Sequence, residues 1–153
     1  MVNSVNLIAL LLLPLTVLVS GFAIWKGRAA ERMSGIALLG TLIFQIALMS
    51  VFRALGVTAR VSAPMLDVAI SLILGLVFLW AALKHNSRWL GFAFIVQGAE
   101  LTISAYFLGP DVPLTASVYF RLLNVMTLLT VSLLAVATVH AILLRRREST
   151  QAD

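Results

Sequence analysis

Five long apolar runs, broken only by short charged or Gly/Pro-containing segments, leave this chain few ways to fold. The runs cover about Asn6–Trp25, Gly35–Phe52, Met65–Leu83, Trp89–Leu108 and Leu114–Leu144. Each matches or approaches the roughly 20 apolar residues that an α-helix needs to cross a bilayer. The breaks "KGRAAERMS", "RALGVTARVSAP", "KHNSR" and "GPDVP" carry the charge, Gly or Pro that ends a buried helix. Of 153 residues, 61% are hydrophobic and 11% charged, whereas a soluble domain carries about 25% charged residues. Mean hydropathy is +1.07, and no stretch remains for a separate soluble domain. The expected fold is all-α: a polytopic bundle of five transmembrane helices forming a single domain over residues 1–153.

Lys and Arg collect on the cytoplasmic side of membrane proteins. With the N-terminus outside, the inner segments hold Lys26, Arg28, Arg32, Lys84, Arg88, Arg145, Arg146 and Arg147, eight in all, and the outer side holds Arg53, Arg60 and Arg121, which are three. Aromatic residues that favour the interfaces sort the same way, with Trp25, Trp80 and Trp89 at inner ends and Tyr106 and Tyr119 at outer ends. A four-span arrangement scrambles both patterns. The opening "MVNSVN" has no positive charge and the basic residues follow the first apolar run, the reverse of a secretory signal, so the first span reads as an uncleaved helix. The expectation is a multi-pass protein of a bacterial-type inner membrane, N-terminus out and C-terminus cytoplasmic.

The net charge of +5 is explained by those helix ends. No basic stripe with interleaved aromatics exists outside them, so nucleic acid is not an expected partner. Cysteine is absent, which removes disulfides, thiolate metal sites and Cys nucleophiles. His85 and His140 both fall toward the cytoplasmic side and read as interfacial residues rather than axial haem ligands. No Ser/His/Asp grouping, metal-ligand spacing or phosphate-cradling glycine loop occurs. Neither an enzyme nor a cofactor is expected.

The hairpin of spans two and three resembles that of spans four and five. "ERMSGIALLG" lies over "SRWLGFAFIV", and Leu66-Asp67-Val68 over Leu123-Asn124-Val125. A parallel repeat over about 32–84 and 88–144 is one reading, of a kind that transporters use. Chance likeness between apolar helices is the other.

Polar residues inside the spans are the functional candidates. Gln97, Glu100 and Ser104 are spaced three and four apart and share a helix face. Glu100 lies about nine residues from the outer end of its span, roughly 13 Å deep, where a carboxylate has to be protonated, paired or solvated. Ser117, Arg121 and Asn124 share a face of the fifth span. The short link containing Pro110 and Pro113 makes spans four and five antiparallel neighbours, so an ion pair between Glu100 and Arg121 is expected, with Gln97 and Asn124 supplying hydrogen bonds. That pair either specifies packing or belongs to an ion or proton path. Asp67 reads as a residue of an outer helix N-terminus, followed on its face by the close-packing signature Ser71-x-x-x-Gly75. Gln45, mid-span, reads as an interhelical hydrogen-bonding residue.

"WKGRAAERMSGIALLG" and "APMLDVAISLILGLVFLWAAL" resemble the small F subunit of Mrp-type multisubunit monovalent cation/proton antiporters over about residues 1–86. That family has three spans, a cytoplasmic first loop of the form K/R-G-P-x-x-x-D-R, and a third span beginning L-D-x-A-L with a later Phe. Lys26-Gly27 and Glu31-Arg32 match the loop, and Leu66-Asp67-Val68-Ala69 and Phe78 match the third span. Arg28 stands where the family has proline, Ala37 where it has an acidic residue, and spans four and five have no counterpart. The resemblance implies a small non-catalytic subunit of a larger inner-membrane assembly, here a monovalent cation/proton transport complex. Its expected partners are the lipid bilayer and other membrane subunits or further copies of itself. The alternatives are a homo-oligomeric channel or transporter, and an assembly or stability factor for a membrane complex.

Overall fold

A computed structural model describes residues 4–56, 59–108 and 116–150, with side chains for 11–56, 65–108, 118–145, 147 and 148. The 109–113 link and the side chains of Arg60, Ser117 and Arg146 lie outside the described residues. The described chain is all-helical: α1 (Ser4–Lys26), α2 (Ala29–Ala54), α3 (Ala59–His85), α4 (Arg88–Phe107) and α5 (Ala116–Thr150). Four segments, Ala29–Ala54, Met65–His85, Arg88–Phe107 and Val118–Arg145, are long and apolar enough to cross a membrane. The described side chains of α1, Leu11–Lys26, form a shorter apolar helix.

Helices α2 and α3 begin well before the apolar runs that mark them. Hydropathy locates the stretch that cannot face water, but backbone hydrogen bonding continues into polar flanks. "AAERMS" is therefore the first turns of α2 rather than a loop. Asp67 likewise lies two turns inside α3, not at its N-terminus, which corrects the helix-end reading.

The links at one end are very short. Gly27 and Arg28 join α1 to α2, and a Cβ on Gly27 would overlap the Ala23 carbonyl oxygen. Asn86 and Ser87 join α3 to α4. Asn86 takes the left-handed conformation (φ 46°), and Ser87 N–H donates to the Ala82 carbonyl at 3.1 Å, the Schellman closure of a helix C-terminus. The Arg28 guanidinium reaches Glu148 near the end of α5 at 3.2 Å, and the Trp89 indole reaches Glu31 at 3.2 Å. These contacts gather the ends of α1, α3 and α5 and the starts of α2 and α4 at one basic end.

Each helix packs against its sequence neighbour, and α5 returns to α1, so the five close into a ring; α3 and α4 share the most extensive interface. Toward the basic end the interior is built largely of small side chains around Phe78, with Ala23, Ala30, Leu74, Ala81, Leu90 and Ala93, and the hydroxyl residues Ser20, Ser34 and Thr138 are buried there too. Small residues let helix backbones approach where lipid provides no hydrophobic drive. Gly35 marks a close approach of α2 to α1: a Cβ there would lie 2.8 Å from the Ser20 carbonyl oxygen. Gly91, aligned with Gly35 in the hairpin comparison, has open space around it. The outer surface is apolar, with Leu18, Ile43, Leu76, Ile95 and Val136 among its exposed residues.

Candidate functional site

The half of the bundle away from the basic end carries acidic and amide side chains in its interior, Asp67, Gln97 and Glu100 among them. All five helices contribute to a cavity of about 90 Å³. Thr16 comes from α1, Thr41 and Gln45 from α2, Ile70 and Leu74 from α3, Gln97 and Glu100 from α4, and Thr127 and Thr130 from α5. A single water needs about 10–15 Å³ of such space, so the cavity has room for several waters or one small partly hydrated ion.

Two hydrogen-bonded groups meet at this cavity. In the first, Gln45 donates through Nε2 to Asp67 Oδ1 at 3.0 Å, an α2–α3 link. Tyr119 donates its hydroxyl to Asp67 Oδ2 at 2.6 Å, tying α5 to α3. Ser104 Oγ of α4 lies 3.5 Å from the same hydroxyl. Asp67 is only 6% exposed and Tyr119 only 3%, so both carboxylate oxygens of Asp67 are satisfied inside the protein. In the second group, Gln97 Nε2 donates to Glu100 Oε2 at 3.0 Å and to Thr130 Oγ1 at 3.3 Å. The hydroxyls of Thr16, Thr41 and Thr130 also donate to backbone carbonyls one turn back. This is a common way for a transmembrane helix to satisfy Ser and Thr.

The shared face of Gln97, Glu100 and Ser104 points into this interior, with Gln97 and Ser104 buried and Glu100 half-buried. Asp67, Ser71 and Gly75 form one buried face of α3, and a Cβ on Gly75 would sit 3.6 Å from Gln97 Cβ across the α3–α4 interface. The ion pair expected between Glu100 and Arg121 is not made. Arg121 is exposed on the outside of α5, and the ion pair among the described residues is Arg28–Glu148. Asn124 is half-buried with its Nδ2 unpartnered, rather than supplying a hydrogen bond to Glu100 or Arg121. The rotation of α5 explains both corrections. That helix turns Tyr119, Thr127 and Thr130 inward, and Arg121, two residues past Tyr119, consequently points away.

Tyr119 has a role that the sequence did not reveal. Read as an interfacial aromatic, it is a buried donor holding a carboxylate. The available signal was its position near the start of α5, within reach of an acidic residue near the start of α3, since a buried Tyr hydroxyl usually finds a partner. Glu31 was missed in a similar way. It is 6% exposed and accepts from Arg28 N–H at 2.9 Å and from Trp89 Nε1 at 3.2 Å. Among the described residues no group of three or more His, Asp or Glu converges as metal ligands.

In comparisons with known proteins, no family model matches the chain. No curated protein and no solved structure matches it either.

Proposed function

We propose that this chain is a five-span, multi-pass protein of a bacterial-type inner membrane, with its N-terminus outside and its C-terminus cytoplasmic. It acts as a small non-catalytic subunit of a larger membrane assembly that exchanges monovalent cations for protons. The observation that carries this reading is the pair of acidic side chains, Asp67 and Glu100, in one hydrogen-bonded interior whose cavity is lined by all five helices. Ionisable residues at such depth mark ion or proton paths by default. The neutral hydroxyl and amide groups of Thr16, Thr41, Gln45 and Gln97 can solvate a small cation or relay a proton without contributing charge. The likeness of residues 1–86 to the antiporter F subunit supports the same direction, since its Leu66-Asp67 motif falls in this interior. The basic residues gathered at one end of the bundle support the orientation.

The test combines native mass with flux. The protein is taken from its own membranes in mild detergent, its assembled mass is measured, and both the assembly and the isolated chain are reconstituted into vesicles with proton- and cation-sensitive dyes. The expected result is an assembly larger than the chain, flux from the assembly only, and loss of flux with intact mass for Glu100→Gln. Flux from the isolated chain would favour the homo-oligomeric channel or transporter, a reading that the five-helix cavity also suits. Wild-type flux from both Glu100→Gln and Asp67→Asn would make the polar interior structural and leave the assembly-factor reading.

A further inference from the structure

The basic end holds a second and larger cavity, of about 570 Å³, between the starts of α2 and α4, the end of α3 and the flank of α5. Its volume lies within the range of small-molecule clefts, about 300–1,000 Å³. Arg28, His85, Arg88 and His140 line it. Arg88 has no acidic partner within salt-bridge distance among the described residues, and Arg28 has only its exposed pair with Glu148. Glu31 is the acidic residue of the lining. One of its oxygens accepts from Arg28 N–H and the other from the Trp89 indole, and its single negative charge stands against the two guanidinium groups of Arg28 and Arg88 in the same lining.

Three further features point the same way. The first turn of α4 opens on the cavity, and the residue before it, Ser87, makes no side-chain capping bond, whereas the start of α2 beside it is already capped by Glu31. Helix starts carry partial positive charge and unsatisfied N–H groups. His85 Nε2 is buried without a hydrogen-bond partner. One wall is apolar, made by Leu133, Val136 and Leu144 of α5. Val136 is 69% exposed and lies within the apolar segment Val118–Arg145. The cavity therefore joins a cationic pocket to a surface that continues along an apolar helix.

We propose that this cavity binds the phosphate headgroup of an anionic phospholipid, with an acyl chain lying along Leu133, Val136 and Leu144. A free phosphate shares the headgroup chemistry but has no use for the apolar wall. Basic pockets between membrane helices are a general setting for such headgroups. The site needs the membrane placement but not the transport role, so either can fail without the other.

The experiment measures lipid retention on the detergent-purified protein by native mass spectrometry. The probes are dioleoylphosphatidylglycerol, dioleoylphosphatidylcholine and inorganic phosphate. Phosphatidylglycerol should bind about tenfold or more tightly than phosphatidylcholine, and Arg88→Gln should remove most of that preference, in line with the loss of a charge-assisted hydrogen bond. Arg28→Gln, read the same way, serves if Arg88→Gln does not keep the wild-type unfolding midpoint in phosphatidylcholine. Equal retention of the two lipids, or an unchanged preference in the folded variant, would overturn the proposal. Displacement of phosphatidylglycerol by millimolar phosphate would overturn it in favour of a free-anion site.

Discussion

Tyr119 and Asp67, 52 residues apart in the chain, are joined by a 2.6 Å hydrogen bond that fastens the start of α5 to α3. Its partners are nearly free of solvent. Tyr119→Phe keeps the ring and leaves one Asp67 oxygen without its donor. Unfolding in detergent should show a loss of about 1–3 kcal/mol, the cost of an unsatisfied buried acceptor. Combined with Asp67→Leu, the second change should cost much less than it does alone. Additive losses would mean that the contact contributes nothing.

Arg121→Leu should change stability by no more than about 0.5 kcal/mol, as expected for an exposed residue outside any network. Its effect should add to that of Glu100→Leu, because the two side chains form no ion pair. Non-additivity by more than about 0.5 kcal/mol in a double-mutant cycle would show a coupling that the observed rotation of α5 does not allow.

Three glycines should respond in a graded order to alanine. Gly91→Ala meets open space and should be neutral or slightly stabilising. Gly75→Ala fits at ordinary contact distance from Gln97, whereas Gly75→Leu should force α3 and α4 apart. Gly35→Ala places a methyl group 2.8 Å from a backbone oxygen of α1, and overpacking of this kind costs about 1–3 kcal/mol. Melting curves of the four variants in one detergent check the order, and a Gly35→Ala protein as stable as Gly91→Ala would contradict the close approach.

Two glutamates at the basic end should behave differently. Glu148→Gln breaks an exposed pair and should cost about 0–1 kcal/mol, less in high salt. Glu31→Ala strips the acceptor from Arg28 N–H and from the Trp89 indole, and should cost about 1–3 kcal/mol with little salt dependence. A change in Trp89 emission should accompany the second substitution and not the first.

The number of helices, their order and the polar face of α4 could be read directly from the chain. Apolar run length reports where water must be excluded, and a three-four spacing puts Gln97, Glu100 and Ser104 on one stripe whatever surrounds them. How each helix is rotated against its neighbours could not be read. Both faces of a membrane helix are apolar, so pattern alone does not say whether Tyr119 or Arg121 looks inward. The close approach at Gly35 and the Asp67 hydrogen bonds settle it, and those depend on residues from several helices at once. Glu31 was hidden for the opposite reason. Its neighbours are charged, so a reading by composition put it in a watered loop, although a turn of α2 and the Trp89 ring enclose it.

The two-residue links between α1 and α2 and between α3 and α4 lie at the same end of the bundle. Each hairpin is thus a pair of levers with its fulcrum at the basic end. The α3 helix, 27 residues long, has an arm of about 40 Å. A tilt of about 5° against its partner would shift the far tip by roughly 3.5 Å over such an arm, while atoms beside the fulcrum scarcely travel. The Asp67–Tyr119 clasp sits toward the far tips, where leverage is greatest, and the 570 Å³ cavity sits beside the pivots. Any given swing of a helix about its short link would therefore move the clasp further than the cavity.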